Sequence, residues 1–282
     1  MSEELYYPPE SVSSKAHIAS MEQYREMYER SVNSPDEFWA EQAERFCWFK
    51  RWDQVRSYNY DVTQGDIQIE WFKGGQCNIT SNCLDRHLET RGGQTAILWE
   101  GNEPGENKSL TYRELHQEVC KFANVLKSHG VKKGDRVSIY MPMVIELSIA
   151  MLACARIGAI HSIVFGGFSS TALADRIVDS SCTVVITTDG GFRGAKAIPI
   201  KANADEAITL AEKQGVHVKT CVVVQRVGEK VPVLMKNGRD LWWHDEMSKA
   251  DPVCEPEVME SEDPLFILYT SGSTGKPKGV MH

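Results

Sequence analysis

From about residue 94 the chain alternates between short apolar runs and stretches of helical periodicity. "TAILWE", "RVSIY", "AIHSIVF", "TVVITT" and "TCVVVQRV" read as strands. The stretch opened by "TYREL", together with "VIELSIAMLACARI", "STALADRIVDSS" and "ADEAITLAEKQG", reads as helices between them. This alternation constrains the fold more than any other feature. Most of the strands are apolar on both faces, so each must be covered on both sides. Covered strands joined by helices form a parallel sheet with helices packed against it. The expected fold class is α/β, a mainly parallel sheet flanked by helices.

Punctuation supports the division into elements. Thr111 and Glu114 have the spacing of a capping box, Leu115, Val119, Phe122 and Leu126 recur at helical spacing, and Gly130 closes that helix. Gly158 and Gly215 end two later helices. Upstream, residues 1–33 look like an extended arm with a short helix near "MEQYREMYERS". Ser34, Pro35 and Glu37 then spell a second capping box. Residues 47–80 are aromatic-rich and irregular, with a strand candidate at "DIQIEWF", and residues 228–263 read as a long polar connection. "PLFILYT" is expected to be one more buried strand.

Composition excludes several classes. With a formal net charge of -8, the chain has no general attraction for nucleic acid or an anionic membrane, so any anionic ligand must be held by local cations and backbone N–H groups. The eight cysteines contain no C-x-x-C pair, which leaves a zinc site without support and favours reduced, buried thiols. No metal-ligand spacing of histidines occurs, so no metal-binding residue is assigned. His161, on an apolar strand, reads as a hydrogen-bonded core residue, and Trp39, Trp71, Trp242 and Trp243 read as packing. The longest apolar run is interrupted by Glu146, Arg156, Gly158 and His161 and reads as helix plus strand, not a membrane span. The N-terminus shows no presequence pattern, so the cytosol is the default compartment, with nuclear entry left open. Oligomeric state is not legible.

Three glycine-rich segments directly follow strands. "YTSGSTGKPKGV" combines glycines, hydroxyls and lysines: glycines let N–H groups converge on phosphate oxygens, Ser and Thr add donors, and a lysine adds charge. It is neither a Walker A loop nor a dinucleotide fingerprint. Its candidate phosphate-binding residues are Thr270, Ser271, Gly272, Ser273, Thr274, Gly275, Lys276, Lys278 and Gly279, and Tyr269 reads as packing. "DGGFRGAK" places Arg193 and Lys196 around a glycine turn, an arrangement suited to a phosphate at the carboxyl end of a strand. "VFGGF" brings Gly166 and Gly167 to a turn that either admits a flat group closely or needs positive φ; Phe165 and Phe168 read as core.

The "YTSGSTGKPKGV" segment resembles the phosphate loop of the AMP-forming adenylate enzymes. With "EFWAEQAERF", "YMPMVIELSIAMLACARIGAIHSIVFGGFS" and "RIVDSSCTVVITTDGGFRGAKAI" in the same order, the chain from about residue 15 onward resembles the AMP-forming acetyl-CoA synthetase (acetate–CoA ligase) family. The resemblance implies a partial N-terminal large domain of the adenylate-forming fold. It divides the chain into an arm over 1–33, the family's N-terminal region over 34–90, and the first part of the AMP-binding domain over 91–282. It implies ATP, Mg²⁺ and coenzyme A as substrates and cofactor, with acetate as the acyl donor. It also assigns coenzyme A binding to Arg193, Gly194, Ala195, Lys196, Phe165, Gly166 and Gly167. Ala195 stands where many relatives carry a second glycine.

The resemblance further implies that the acyl pocket, the adenine and ribose motifs, the hinge and the small domain with its catalytic lysine would lie beyond His282. No catalytic residue is therefore expected within the chain, which is expected to be an N-terminal fragment, inactive alone and prone to expose the "LFILYT" edge. Selectivity for acetate over propionate or another short acid is not encoded in these residues. A non-catalytic nucleotide- or coenzyme-A-binding piece is the reading from another class.

Overall fold

The structure is a computed structural model that describes residues 6–270 and 277–282. The chain divides into two compact units, residues 1–47 with 52–74, and residues 48–51 with 75–282. In the first unit, α1 (Glu10–Ser13), α2 (Met21–Asn33) and α3 (Pro35–Ala43) precede an antiparallel pair, β1 (Gln54–Asn59) and β2 (Gln68–Lys73). Pro35 opens α3 as its sequence suggests. The Ser34 side chain makes no capping bond, however, so the expected capping box there does not form. Trp39 packs edge-on against Phe38 and Trp71 yet remains 41% exposed.

The second unit begins with β3 (Gln76–Cys77), α4 (Ile79–Cys83), a single 3-10 turn and α5 (Leu88–Arg91). Next come β4 (Thr95–Glu100) and β5 (Asn107–Thr111), which pair only with each other, so "TAILWE" is a strand that does not join the central sheet. The Thr111–Glu114 capping box forms in full at the start of α6 (Tyr112–Ser128), with Glu114 Oε2 accepting from the Thr111 N–H at 2.8 Å. Gly130 then turns the chain at φ +82°.

Beyond Gly130 the elements alternate as the sequence dictates: β6 (Arg136–Met141), α7 (Ile145–Arg156), β7 (Ile160–Phe165), α8 (Ser170–Ser180), β8 (Val184–Thr188), then a small hairpin of β9 (Gly191–Arg193) and β10 (Lys196–Ile198). After it come α9 (Ile200–Glu212) and β11 (Thr220–Val224). The polar stretch beyond β11 is more structured than expected. It supplies β12 (Asp240–Trp242), α10 (Trp243–Lys249) and β13 (Met259–Glu260), the last paired with β3. Here tertiary pairing and Trp243 override weak local patterning. Trp243 is buried, stacked on Phe122 with centroids 3.8 Å apart, and burying a ring or large aliphatic side chain of this kind is worth about 1.5–3 kcal/mol. The last two strands are β14 (Phe266–Thr270) and β15 (Lys278–Met281).

The central sheet has seven strands in the order β12-β11-β8-β6-β7-β14-β15, parallel except for β15. One face is covered by α6, α7 and α10, the other by α8 and α9, each with its own apolar cluster. β14 is only half-buried, with Leu268 exposed, so "PLFILYT" is not the fully buried strand expected. His161 is buried on β7, but its Nδ1 has no hydrogen-bond partner. The expected hydrogen-bonded core role therefore becomes one of packing against Phe266, and burial pushes the ring down to about 4 so that it stays neutral. None of the eight cysteines is in a disulfide; Cys120, Cys154, Cys182, Cys221 and Cys254 are buried, whereas Cys47 and Cys83 are exposed.

Two buried charge networks brace this unit. Arg156 grips Asp85 through two 2.9 Å bonds and donates to the Cys254 carbonyl. Lys201 Nζ reaches Asp205 at 2.7 and 2.8 Å and Asp240 at 2.7 Å, and Arg239 bonds the same two carboxylates. Each buried cation here faces carboxylate, which offsets the desolvation of both partners.

Candidate functional site

Because β6, β7, β8, β11 and β14 run parallel, their carboxyl ends lie along one edge of the sheet. Open α/β sheets bind ligands outside that edge, where successive connections leave for opposite faces. Here the switch lies between β6 and β7. The β6 exit leads to α7 on one face and the β7 exit to α8 on the other.

A cleft of about 730 Å³ opens at this switch. Its walls are the exits of β6 (Pro142–Val144), β7 (Phe165–Gly167), β8 (Gly191–Arg193) and β11 (Arg226), together with the β4–β5 hairpin. Two segments remote in sequence, "VFGGF" and "DGGFR", therefore meet in one site. Phe165 is 60% exposed and Phe168 43% exposed, so neither is the core residue expected. Their rings meet edge-on at 5.9 Å.

The glycines of "VFGGF" have a specific cause. Neither has positive φ. A Cβ on Gly166 would lie 2.8 Å from the Met141 carbonyl carbon and 2.9 Å from Pro142 N, which are backbone atoms that cannot yield. The three atoms nearest a Cβ on Gly167 all belong to the Phe165 ring. Close approach, not turn conformation, requires Gly166.

Asp189, the first residue of "DGGFRGAK", is buried, and its carboxylate accepts backbone N–H bonds from Gly190 at 2.6 Å, Arg226 at 2.7 Å, Val227 at 3.0 Å and Gly228 at 2.8 Å. One side chain thus ties the β8 exit to the β11 exit. Beyond it, Gly194 at φ +57° and Ala195 form the tip of the β9–β10 hairpin, in which Arg193 pairs with Lys196. Arg193 lines the cleft. Gly194, Ala195 and Lys196 are exposed at the tip and do not line it.

Arg226, Trp99, Asn203 and Met143 line the same cleft, and no sequence motif marked them. Arg226 had one detectable signal: it lies directly beyond an apolar strand of a parallel sheet, where exit loops gather. Its guanidinium is ion-paired to Glu106, with Nη2 3.0 Å from Oε2, and is centred 5.1 Å from the Trp99 ring and 5.0 Å from the Phe192 ring. The hydrogen bonds from Arg226 hold the Glu106 carboxyl down at about 2. Trp99 Nε1 donates to the Met143 carbonyl at 2.9 Å, docking the β4–β5 hairpin on the cleft.

Of the candidate phosphate residues, Ser271, Gly272, Ser273, Thr274, Gly275 and Lys276 lie outside the described residues. Thr270 is exposed at the end of β14, at the carboxyl edge shared with the cleft. Lys278 and Gly279 were expected as loop residues, but both lie in β15, where Lys278 pairs with Thr270 and Gly279 with Tyr269. Tyr269 is anchored through its hydroxyl, which donates to Asp179 Oδ2 at 2.7 Å.

Residues 84–282 match the AMP-binding enzyme family, and residues 24–83 match the acetyl-coenzyme A synthetase N-terminus. Acetyl-coenzyme A synthetases of Desulfatibacillum aliphaticivorans and Brucella anthropi are 56% and 54% identical over 100% of this chain and 42% of their own length. The chain thus spans less than half the length of the curated relatives it matches. Among solved structures, acetoacetyl-CoA synthetase from Streptomyces lividans superposes with a TM-score of 0.81 at 25% identity, over 95% of this chain and 40% of that one.

Proposed function

We propose, for a chain that belongs to the AMP-binding enzyme family, that it supplies the coenzyme A nucleotide cleft and the phosphate loop of an AMP-forming acetate–CoA ligase. The observation that carries this reading is a cleft at the carboxyl edge of the sheet, where "VFGGF" and Arg193 meet on the edge from which Thr270 leads into the glycine-rich segment. In the proposed reaction acetate attacks the α-phosphate of ATP, giving acetyl-adenylate and pyrophosphate. The coenzyme A thiol then attacks the acyl carbonyl and releases AMP.

The chain's own residues bind and orient. Arg193 offers a planar, permanently charged fork to a phosphate. Lys196, at the exposed hairpin tip, adds a point charge beside it. Gly166 keeps the floor low enough for a flat base to approach. The hydroxyls and N–H groups of 270–279 would stabilise charge on the leaving pyrophosphate. Among the described residues no His, Cys, Asp and Glu cluster is fit to hold a divalent ion, so no step is routed through magnesium on this chain; that ion commonly arrives on nucleotide phosphates. Among the described residues no helix is long and apolar enough to cross a membrane, and a cytoplasmic setting is part of this proposal.

Calorimetric titration of the 282-residue chain with adenosine 3′,5′-bisphosphate, the nucleotide end of coenzyme A, tests the cleft. Saturable binding that is weakened by Arg193→Gln is expected; a chain folded by circular dichroism that binds nothing overturns the cleft assignment. Acetate-dependent exchange of labelled pyrophosphate into ATP tests the adenylation half separately. No exchange is expected unless the remaining length of the ligase is supplied.

A further inference from the structure

We infer that Arg226, locked by Glu106, is a positioning residue that aims Arg193 into the cleft. This rests on the coenzyme A reading of the site and adds to it residues that no motif identifies.

Arg226 is held at both its backbone and its side chain. Its backbone N–H donates to Asp189, the residue that opens the β8 exit. Its side chain crosses between the two walls of the cleft: Trp99 belongs to the β4–β5 hairpin and Phe192 to the β9–β10 hairpin, and the guanidinium is stacked about 5 Å from both rings. Glu106 grips it from the β4–β5 side. The Phe192 ring also carries Lys230 Nζ, 4.7 Å from its centroid, so this ring is held between two cations.

Phe192 immediately precedes Arg193. The β9–β10 hairpin is short, with three backbone pairs, and its tip is exposed. Such a ribbon has little stability of its own, since isolated two-stranded hairpins are marginal. The clasp on Phe192 is therefore what fixes the direction of the next side chain. Phe192 and Arg193 line the same cleft, so holding the Phe192 ring against its wall fixes the backbone from which Arg193 enters it. A planar guanidinium suits the clasp because it stacks on two rings while still meeting a carboxylate edge-on; an ammonium cannot do both. Arg226 is also largely neutralised by Glu106. It therefore acts through the geometry of Arg193 rather than as a second phosphate ligand.

The test compares two probes on the full chain: adenosine 3′,5′-bisphosphate and adenosine 5′-monophosphate, which lacks the 3′-phosphate that Arg193 would meet. The variants are Arg226→Gln, Arg226→Lys, Glu106→Gln and Arg193→Gln, each with its melting midpoint recorded. Positioning predicts that Arg226→Gln and Glu106→Gln each lower the ratio of 3′,5′-bisphosphate to 5′-monophosphate affinity by about tenfold. It also predicts that Arg226→Lys fails to restore that preference. The double variant Glu106→Gln/Arg226→Gln should lose no more than either single variant, as expected for residues acting as one unit.

Full 3′-phosphate preference in both single variants, alongside its loss in Arg193→Gln, overturns the inference and leaves the cleft assignment intact. Equal weakening toward both probes, tracking the melting midpoint, reduces Arg226 to a structural strut and also overturns it. A wild-type chain with no preference for the 3′-phosphate removes the coenzyme A reading and this inference together.

Discussion

The imidazole Nε2 of His116 lies 3.4 Å from Oδ1 of Asp85. Arg156 Nη2 is 3.4 Å from the same nitrogen and Cys120 Sγ is 3.6 Å away. The hydrogen bond to Asp85 outweighs the desolvation and raises the His116 pKa to about 9, while Arg156 and His116 together hold the Asp85 carboxyl well below the usual range. A histidine with a raised folded-state value contributes stability that is complete below its unfolded value of about 6.5 and fades as pH rises through about 9. The melting-point gap between wild type and His116→Gln should therefore close across that window. Nuclear magnetic resonance titration of His116 gives the midpoint directly, and a value near that of free histidine refutes the pairing.

Gly166 and Gly167 are adjacent and alike in sequence, yet they should respond differently to substitution. Gly166→Ala drives a Cβ into the Met141–Pro142 backbone and should cost about 1–3 kcal/mol, as overpacking does. Gly167→Ala has a rotatable ring as its nearest neighbour and should stay within about 0.5 kcal/mol. Urea unfolding of the two variants checks the contrast; equal costs would refute the close-approach explanation.

At the start of α6, Thr111→Ala removes an oxygen that accepts the Glu114 N–H and a hydroxyl that donates to Glu114 Oε2, while the backbone N–H of residue 111 keeps its bond to the same carboxylate. A loss of about 1 kcal/mol is expected by chemical denaturation. Ser34→Ala should cost much less, because the Ser34 side chain caps nothing.

Lys201→Met should be severe. It leaves Asp240, whose side chain is fully buried, with Arg239 as its remaining cation, and breaking a buried charge network of this kind costs about 3–5 kcal/mol. Adding Asp240→Asn to Lys201→Met should recover part of the loss, since one uncompensated charge is then removed. Thermal melts of the single and double variants decide it.

The fold class was legible because strands β6, β7, β8 and β11 are apolar on both faces, a pattern set by local residue choice. Elements that depend on distant partners were not legible. "TAILWE" reads as well as any other strand, but its partner is β5 rather than the central sheet. Asp240–Trp242 is too short to show periodicity and becomes a strand through pairing with β11. In the proposed site, glycines and Arg193 stood out in the sequence because phosphate and base recognition would draw on those residue types after a strand. Glu106, Trp99 and Arg226 did not, because stacking and ion pairing among segments more than a hundred residues apart leave no spacing to read. Phe165 and Phe168 misled because a phenylalanine at the end of an apolar strand usually continues the core; here Phe165, the last residue of β7, and Phe168, in the turn after it, are both exposed.

The antiparallel β14–β15 pair has a kinetic consequence. Every parallel neighbour in the central sheet must wait for a crossover connection before its partner strand arrives, whereas Thr270 and Lys278 are partners close in sequence. Contacts between near neighbours form with little chain-closure entropy, and the pair gains lasting stability once β14 docks on β7. The two anchors of the glycine-rich segment can therefore come together as a local event early in folding, before the cleft beside them has its walls.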